Sequence, residues 1–317
     1  MSRIAVERDV SEPRARQKPA TVFTPLTPNF NCFSIDVEEY YHAEVFHGRL
    51  TETQFAALPR RAAPRVQRLA ELLERHESRG TFFVLGSETR RLAPLLRELS
   101  KRGHEIASHG YAHRHLSRLT PDEFRDDLRR ARLEIEDAVG VTPIGYRAPT
   151  FSITHRTAWA LDVLVAEGFE YDASIFPIRH DRYGVPDAPA EPFRALAPGG
   201  AAILEFPPLT INGRFLRIPV GGGGYLRLLP VWILDRTLAR REHARRPAML
   251  YVHPWELDPD QPRLPLPFLS QWRHRVNLAR TEEKLQLLLT RHRFAPARHV
   301  LSQIDRATLP TFKPGER

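Results

Sequence analysis

The sequence predicts an α/β fold of about seven strand–helix units, with the strands parallel and the helices outside them. Short apolar runs alternate with amphipathic stretches along most of the chain, the pattern of a parallel sheet with helices outside. Each apolar run ends on a polar or otherwise special residue, and the carboxyl ends of barrel strands are where active sites are built. A chain of 317 residues is also long enough to bury one large core.

Residues 1–29 are polar, carry several Arg and Pro, and lack the apolar stretch of a secretory signal, so a disordered or loosely docked arm is expected there. A strand over 30–35 then runs into Asp36, Glu38 and Glu39. The next helix, 64–79, places Val66, Leu69, Leu72, Leu73 and His76 on one face and stops at Gly80. A strand over 81–85, a helix from about Pro94 to Arg102 and a strand over 104–108 follow, and the last runs into a helical turn carrying His109 and His113. Thr120, Pro121 and Glu123 form a capping box that opens a helix to about Val139.

Strand 144–149 is ended by Pro149, and a helix over 154–167 is closed by Gly168. Strands over 169–172, 202–206 and 248–252 complete the count, the last ending at His253. The Pro- and Gly-rich stretch 178–200 and the run 221–225 read as loops framing a groove. No strand leads into the four glycines and no Lys-Ser/Thr follows them, so a phosphate cradle is not expected. No internal repeat is visible. The barrel is expected over 30–256. A C-terminal extension, 257–317, is expected to pack on it, and its amphipathic run 282–289 either covers the barrel or mediates contacts.

Composition narrows the chemistry. A single cysteine, Cys32, excludes an internal disulfide and any Cys-rich zinc module, so a metal would have to sit on His and carboxylate ligands. His109 and His113 have metal-ligand spacing. Asp36 and Glu38 point to one side of a strand while Val37 and Glu39 point away, although Glu39 competes if the strand has already ended. His76, His104 and His115 are not expected to be ligands. The net charge is +9 and the pI near 10.1, but the arginines spread along amphipathic helices without interleaved aromatics. A nucleic-acid platform is therefore not expected. No apolar run approaches the roughly 20 residues that span a bilayer.

The order of Ser34-Ile35-Asp36-Val37-Glu38, Ser108-His109 through His113, Tyr146-Arg147-Ala148-Pro149, Tyr171-Asp172-Ala173-Ser174 and Leu250-Tyr251-Val252-His253 resembles the polysaccharide deacetylase superfamily (NodB homology, carbohydrate esterase family 4). The pieces Asp36 to Tyr40, Gly222 to Tyr225 and His253 to Glu256, with the C-terminal extension, resemble the branch found with bacterial exopolysaccharide and protein-sorting clusters. The resemblance implies a distorted barrel with fewer than eight units and metal-dependent hydrolysis of an N-acetyl group from a sugar. It implies Glu38, His109 and His113 as ligands, Asp36 as general base oriented by Arg147, and His253 as general acid tuned by Asp172. The backbone N–H near Thr150 would help stabilise the oxyanion. Trp255 and Tyr225 either stack on a sugar ring or pack in the core.

The expected cofactor is one divalent ion, Zn²⁺ first, with Co²⁺, Mn²⁺, Ni²⁺ or Fe²⁺ also compatible. The expected partner is an N-acetylated polysaccharide or a lipid-linked oligosaccharide. The expected location is the cytoplasm or the inner membrane face, where a basic surface would favour anionic lipid. Two alternatives remain open at this point: a cyclic amidohydrolase of the same fold, and a non-catalytic glycan-binding module.

Overall fold

The structure is a computed structural model that describes residues 31–46, 49, 51–180, 182–213 and 216–315; the arm expected over 1–29 lies outside them. The strands are β1 Asn31–Val37, β2 Thr81–Val84, β3 Glu105–Ser108, β4 Gly145–Tyr146, β5 Tyr171–Asp172, β6 Phe193–Leu196, β7 Ala202–Glu205, β8 Thr210–Asn212, β9 Arg217–Pro219, β10 Ala248–Val252 and β11 Thr311–Phe312. Nine of them form one sheet in the order β10-β1-β2-β3-β4-β5-β7-β6-β11, and β8 and β9 form a separate hairpin. The seven strands from β10 to β7 are parallel throughout, matching the seven expected units.

The sheet curls into a distorted barrel with β10 and β11 at its edges. Cys32 of β1, Phe83 of β2, Tyr171 of β5, Leu204 of β7 and Met249 of β10 share one apolar cluster, which strands this far apart in the order reach only across an interior. One end of that interior is plugged. Glu105 accepts hydrogen bonds from Thr81 Oγ1 (2.7 Å), Tyr171 Oη (3.1 Å) and the backbone N–H of Arg298 (3.1 Å). Burial pushes this carboxyl up from its ordinary value.

The helices are α1 Glu52–Ala57, α2 Ala62–Arg75, α3 Gly86–Lys101, α4 Pro121–Val139, α5 Trp159–Ala166, α6 Gly223–Leu228, α7 Val231–His243, α8 Phe268–Arg275, α9 Thr281–Arg291 and α10 Ala297–Ser302. On α2 four of the five residues of the expected face, Val66, Leu69, Leu72 and Leu73, join the cluster between the sheet and the helices, whereas the helix ends at Arg75 and leaves His76 as its half-buried cap. Thr120 and Glu123 form the expected capping box of α4, and Gly140 closes it at φ 81°.

Four local expectations are corrected. Helix α3 begins eight residues before Pro94, which it holds on its exposed side. There the missing N–H costs least, while Leu92, Leu96 and Leu99 keep one buried face. Helix α5 starts at Trp159, because Thr154 caps a separate 3₁₀ turn over His155–Thr157. The stretch 178–200 contains β6, whose burial alternates as it pairs antiparallel with β7. The glycine run is the start of α6: a Cβ on Gly222 would lie 2.1 Å from the Tyr251 carbonyl oxygen, so only glycine lets the helix begin against β10. The C-terminal segment returns to the sheet, where β11 pairs parallel with β6.

Candidate active site

The carboxyl ends of β1, β3, β4 and β10 converge on one group of side chains. Ligand atoms of Glu38, His109 and His113 all lie within 4.8 Å of one another. His109 Nδ1 is 2.8 Å from the Arg147 carbonyl oxygen; as donor to that carbonyl it carries the proton and leaves the Nε2 lone pair facing the cluster. His113 Nε2 lies 2.6 Å from Glu38 Oε2, yet this buried oxygen has no hydrogen-bond partner. A buried carboxylate oxygen pressed against a ring nitrogen out of hydrogen-bond alignment is expensive unless both share a cation. Two imidazoles and one carboxylate are a donor set that suits a divalent ion with positions left open.

Electrostatics agree with that geometry. Burial disfavours ionised Glu38, but His113 above all, then His253 and His109, hold its carboxyl well below the usual range. Burial pulls His109 down to about 4, so its imidazole is neutral near pH 7, as a ligand must be.

The segment after β3 is not the helical turn expected from the i, i+4 spacing. It is an irregular loop in which Gly110 and His113 adopt positive φ, 75° and 53°. Asp127 of α4 holds this loop. It accepts from the Tyr111 N–H at 2.6 Å and pairs with Arg114 at 3.3 Å, while a Cβ at Gly110 would sit 2.9 Å from its Oδ2. His42 stacks on the His113 ring, with centroids 5.7 Å apart and 16° between planes.

Beside the ligand group, Asp36 is buried and its Oδ1 accepts from Arg147 Nη1 at 2.6 Å. Arg147 is fully buried, donates from Nε to the Ala173 carbonyl at 3.2 Å, and lies over the Phe83 ring at 4.2 Å. His253 Nε2 is 3.4 Å from Glu38 Oε1 and 3.8 Å from Asp36 Oδ2. Its Nδ1 is 2.9 Å from Glu256 Oε1, and Glu256 Oε2 accepts from Arg227 Nε at 2.8 Å. Burial works against charge on His253. The Glu256 hydrogen bond, then the Glu38 and Asp36 carboxylates, nonetheless raise it to about 9.

Other residues singled out in the sequence are placed elsewhere. Asp172 is turned away from His253: it accepts from Ser174 Oγ at 2.5 Å and is buried beside Glu205, where burial raises both carboxyls. Glu256 is the partner of His253 instead. Trp255 is only 8% exposed and is stacked on by His253 and by His274 at 5.0 and 4.6 Å, so its faces are not open to a sugar. Its indole N–H points at Glu38 Oε1, 3.4 Å away.

Tyr225 is exposed on α6, and its neighbours Gly224 and Arg227, not Tyr225 itself, line the adjoining cavity of about 270 Å³. Thr150, at φ 58°, lines that cavity from the β4 side. Glu39 is excluded from the ligand group: its Oε2 accepts from the N–H groups of Arg61 (2.7 Å) and Ala62 (3.0 Å) at the start of α2.

Three of the residues around the site were not assigned roles from the sequence: Asp127, Glu256 and His42. Glu256 carried a signal, since it stands three residues after His253. Asp127 and His42 had none apart from the fold.

Comparison with known proteins agrees with this architecture. Residues 55–168 match the polysaccharide deacetylase family, and residues 173–302 match a domain of unknown function. A chitooligosaccharide deacetylase of Bradyrhizobium is 31% identical over 145 residues, 44% of this chain and 64% of that protein. A peptidoglycan deacetylase of Helicobacter pylori is 28% identical over 110 residues, 35% of this chain and 36% of that one. The chain thus spans less than two thirds of the length of either relative.

Among solved structures, a polysaccharide deacetylase from Mycobacterium smegmatis superposes with TM-score 0.56 at 20% identity, covering 93% of this chain and 96% of that one. Puue allantoinase superposes with TM-score 0.54 at 15% identity, covering 86% and 88%. The fold is that of a deacetylase-type distorted barrel. Over residues 55–168 the chain is similar in sequence to the polysaccharide deacetylase family, and its fold agrees with that likeness.

Proposed function

We propose that this protein is a metal-dependent hydrolase that removes N-acetyl groups from sugars of a polysaccharide or lipid-linked glycan, in exopolysaccharide biosynthesis or modification. The observation that carries the reading is the Glu38, His109 and His113 group, with its unpartnered buried oxygen, set directly beside Asp36 and His253. Glu38, His109 and His113 would hold the ion, Zn²⁺ being the first choice. When bound, such an ion supplies Lewis acidity and a water acidified to near neutrality.

The remaining work falls to the chain. Asp36, oriented by Arg147, takes the proton of the attacking water. His253, with Nδ1 fixed on Glu256, turns Nε2 into the site and delivers a proton to the departing amine. Thr150 and the cavity it lines lie where the rest of the glycan would extend. The relatives named as deacetylases support the N-acetyl sugar over a ring amide, whereas the allantoinase likeness concerns the fold alone.

The test is acetate release by the Zn²⁺- or Co²⁺-loaded protein from acetylated chito-oligomers and lipid-linked glycans, with cyclic amides in parallel. Release from the glycans is expected. Turnover of the cyclic amides alone would replace the reading with that of an amidohydrolase. No release from any substrate, with metal content near zero, would leave a binding module.

A further inference from the structure

Six of the nine large hydrophobic side chains exposed among the described residues fall in two short segments beside the cavity mouth. They are Tyr225 and Leu228 on α6, Trp232 at the start of α7, and Phe268, Leu269 and Trp272 on α8. Phe268 is 85% exposed, more than any other of the nine. The segments are held together: Arg227 of α6 donates to the carbonyl oxygens of His274 and Val276, at 2.8 and 3.0 Å, and Asn277 Nδ2 donates to the Arg227 carbonyl at 3.0 Å.

Helix α8 is amphipathic in the inverted sense. Ser270, Arg273 and His274 look toward the cavity, while Phe268, Leu269 and Trp272 occupy the adjoining 100° of its circumference and face outward. An outward apolar stripe on a helix tied down at its polar side has a use only if something other than water covers it.

Charge identifies the cover. The chain has 38 acidic residues, yet the stretches 206–234 and 261–281, which supply this whole face, contain none. They do contain Arg263, Arg273 and Arg280, all exposed, and the half-buried Arg275. Aromatic and leucine side chains flanked by arginine, with the nearest acids, Asp235 and Asp260, standing just outside these stretches, suit the headgroup layer of an anionic bilayer. A symmetric pair of copies would bring these arginines against one another, because the two stretches carry no acidic residue to face them.

The geometry points to peripheral docking of this protein on an anionic lipid surface through α6, the start of α7 and α8. The cavity lined by Thr150, Gly224 and Arg273 then opens at headgroup depth. Docking stands apart from the hydrolytic reading and fails or survives independently of it.

The experiment is co-sedimentation of the full chain with vesicles of phosphatidylcholine alone or mixed with phosphatidylglycerol, at low and high salt. Binding only to the mixed vesicles, weakened by salt, is expected. The double variant Phe268→Ser/Trp272→Ser should bind at least tenfold less with an unchanged far-UV spectrum. Arg273→Gln should weaken binding by roughly fivefold, the worth of one arginine at such a surface.

Tryptophan emission should shift to the blue on adding the mixed vesicles. Any of three results would overturn the proposal: wild-type protein left in the supernatant, the double variant binding as well as wild type, or a wild-type dimer that the double variant converts to monomer. The last would show that a second copy covers the face. Unshifted emission from protein that does co-sediment would show that a different face meets the lipid, a fourth result that counts equally against docking through this one.

Discussion

His253 can hand a proton to a leaving group from Nε2 only if Nδ1 is held elsewhere, and Glu256 holds it at 2.9 Å while itself pinned by Arg227. Glu256→Gln keeps the side chain's shape and removes the charge. We expect kcat to fall by roughly a hundredfold, the lower end of what a general acid contributes, because the acid itself is kept and only its partner's charge is lost, with metal content unchanged. A loss of metal in that variant would mean that Glu256 supports the ligands and not the acid. For the ligand group itself, His113→Ala should purify without metal, whereas Asp36→Asn should retain metal and lose turnover; equal metal loss in both would show the two roles interchanged. At this scale Asp36, Glu38, His109, His113, Arg147 and His253 were legible as polar residues in or just beyond strands, and their roles came from the order they share with the deacetylase superfamily. The partner of His253 was not. Asp172 matched the family order, but β5 lies five strands from β10 along the sheet, and only the folded chain shows that Glu256 is nearer.

The elements explain how an irregular loop can carry two ligands. After β3 the chain cannot continue as helix, because Gly110 and His113 both sit at positive φ. What holds the loop is Asp127, projecting from the middle of α4 to the Tyr111 N–H. Asp127→Ala should therefore loosen His113 without unfolding the helix. The expected result is a metal affinity lower by roughly ten- to a hundredfold, the usual cost of removing a group that orients a ligand, measured by Zn²⁺ titration. An affinity equal to wild type would show that the His42 stack alone positions His113. The capping box at Thr120 made the start of α4 legible, and the helix ends at Val139, where it was expected. Start and stop signals misplaced α3, because Pro94 reads as a boundary wherever its ring is not seen to face solvent. They also missed β6, whose alternation is too short to stand out among prolines and glycines.

At the scale of the whole molecule, the seven parallel strands were readable from periodicity. How the chain closes around them was not, because closure depends on contacts between residues about two hundred positions apart. One such tie is Asp258, just beyond β10, which is 1% exposed and bridges Arg61 and Arg65 of the α2 region at 2.5 and 2.9 Å. Burial alone would raise this carboxyl. The hydrogen bonds from Arg61 and Arg65 outweigh it and hold Asp258 below its ordinary value of 3.8. A carboxyl whose pKa is depressed by folding stabilises the fold fully above the unfolded value, near 4, and loses that contribution as pH falls through the lower, folded value. Asp258→Asn should then cost about 2 kcal/mol at pH 7, less than a fully buried pair because both arginines are about one third exposed. The gap between variant and wild type should narrow below about pH 4 as the wild-type carboxyl takes up its proton. Denaturant unfolding at pH 7 and near pH 3 measures both numbers. A gap of the same size at the two pH values would show that Asp258 acts through packing and not through its charge.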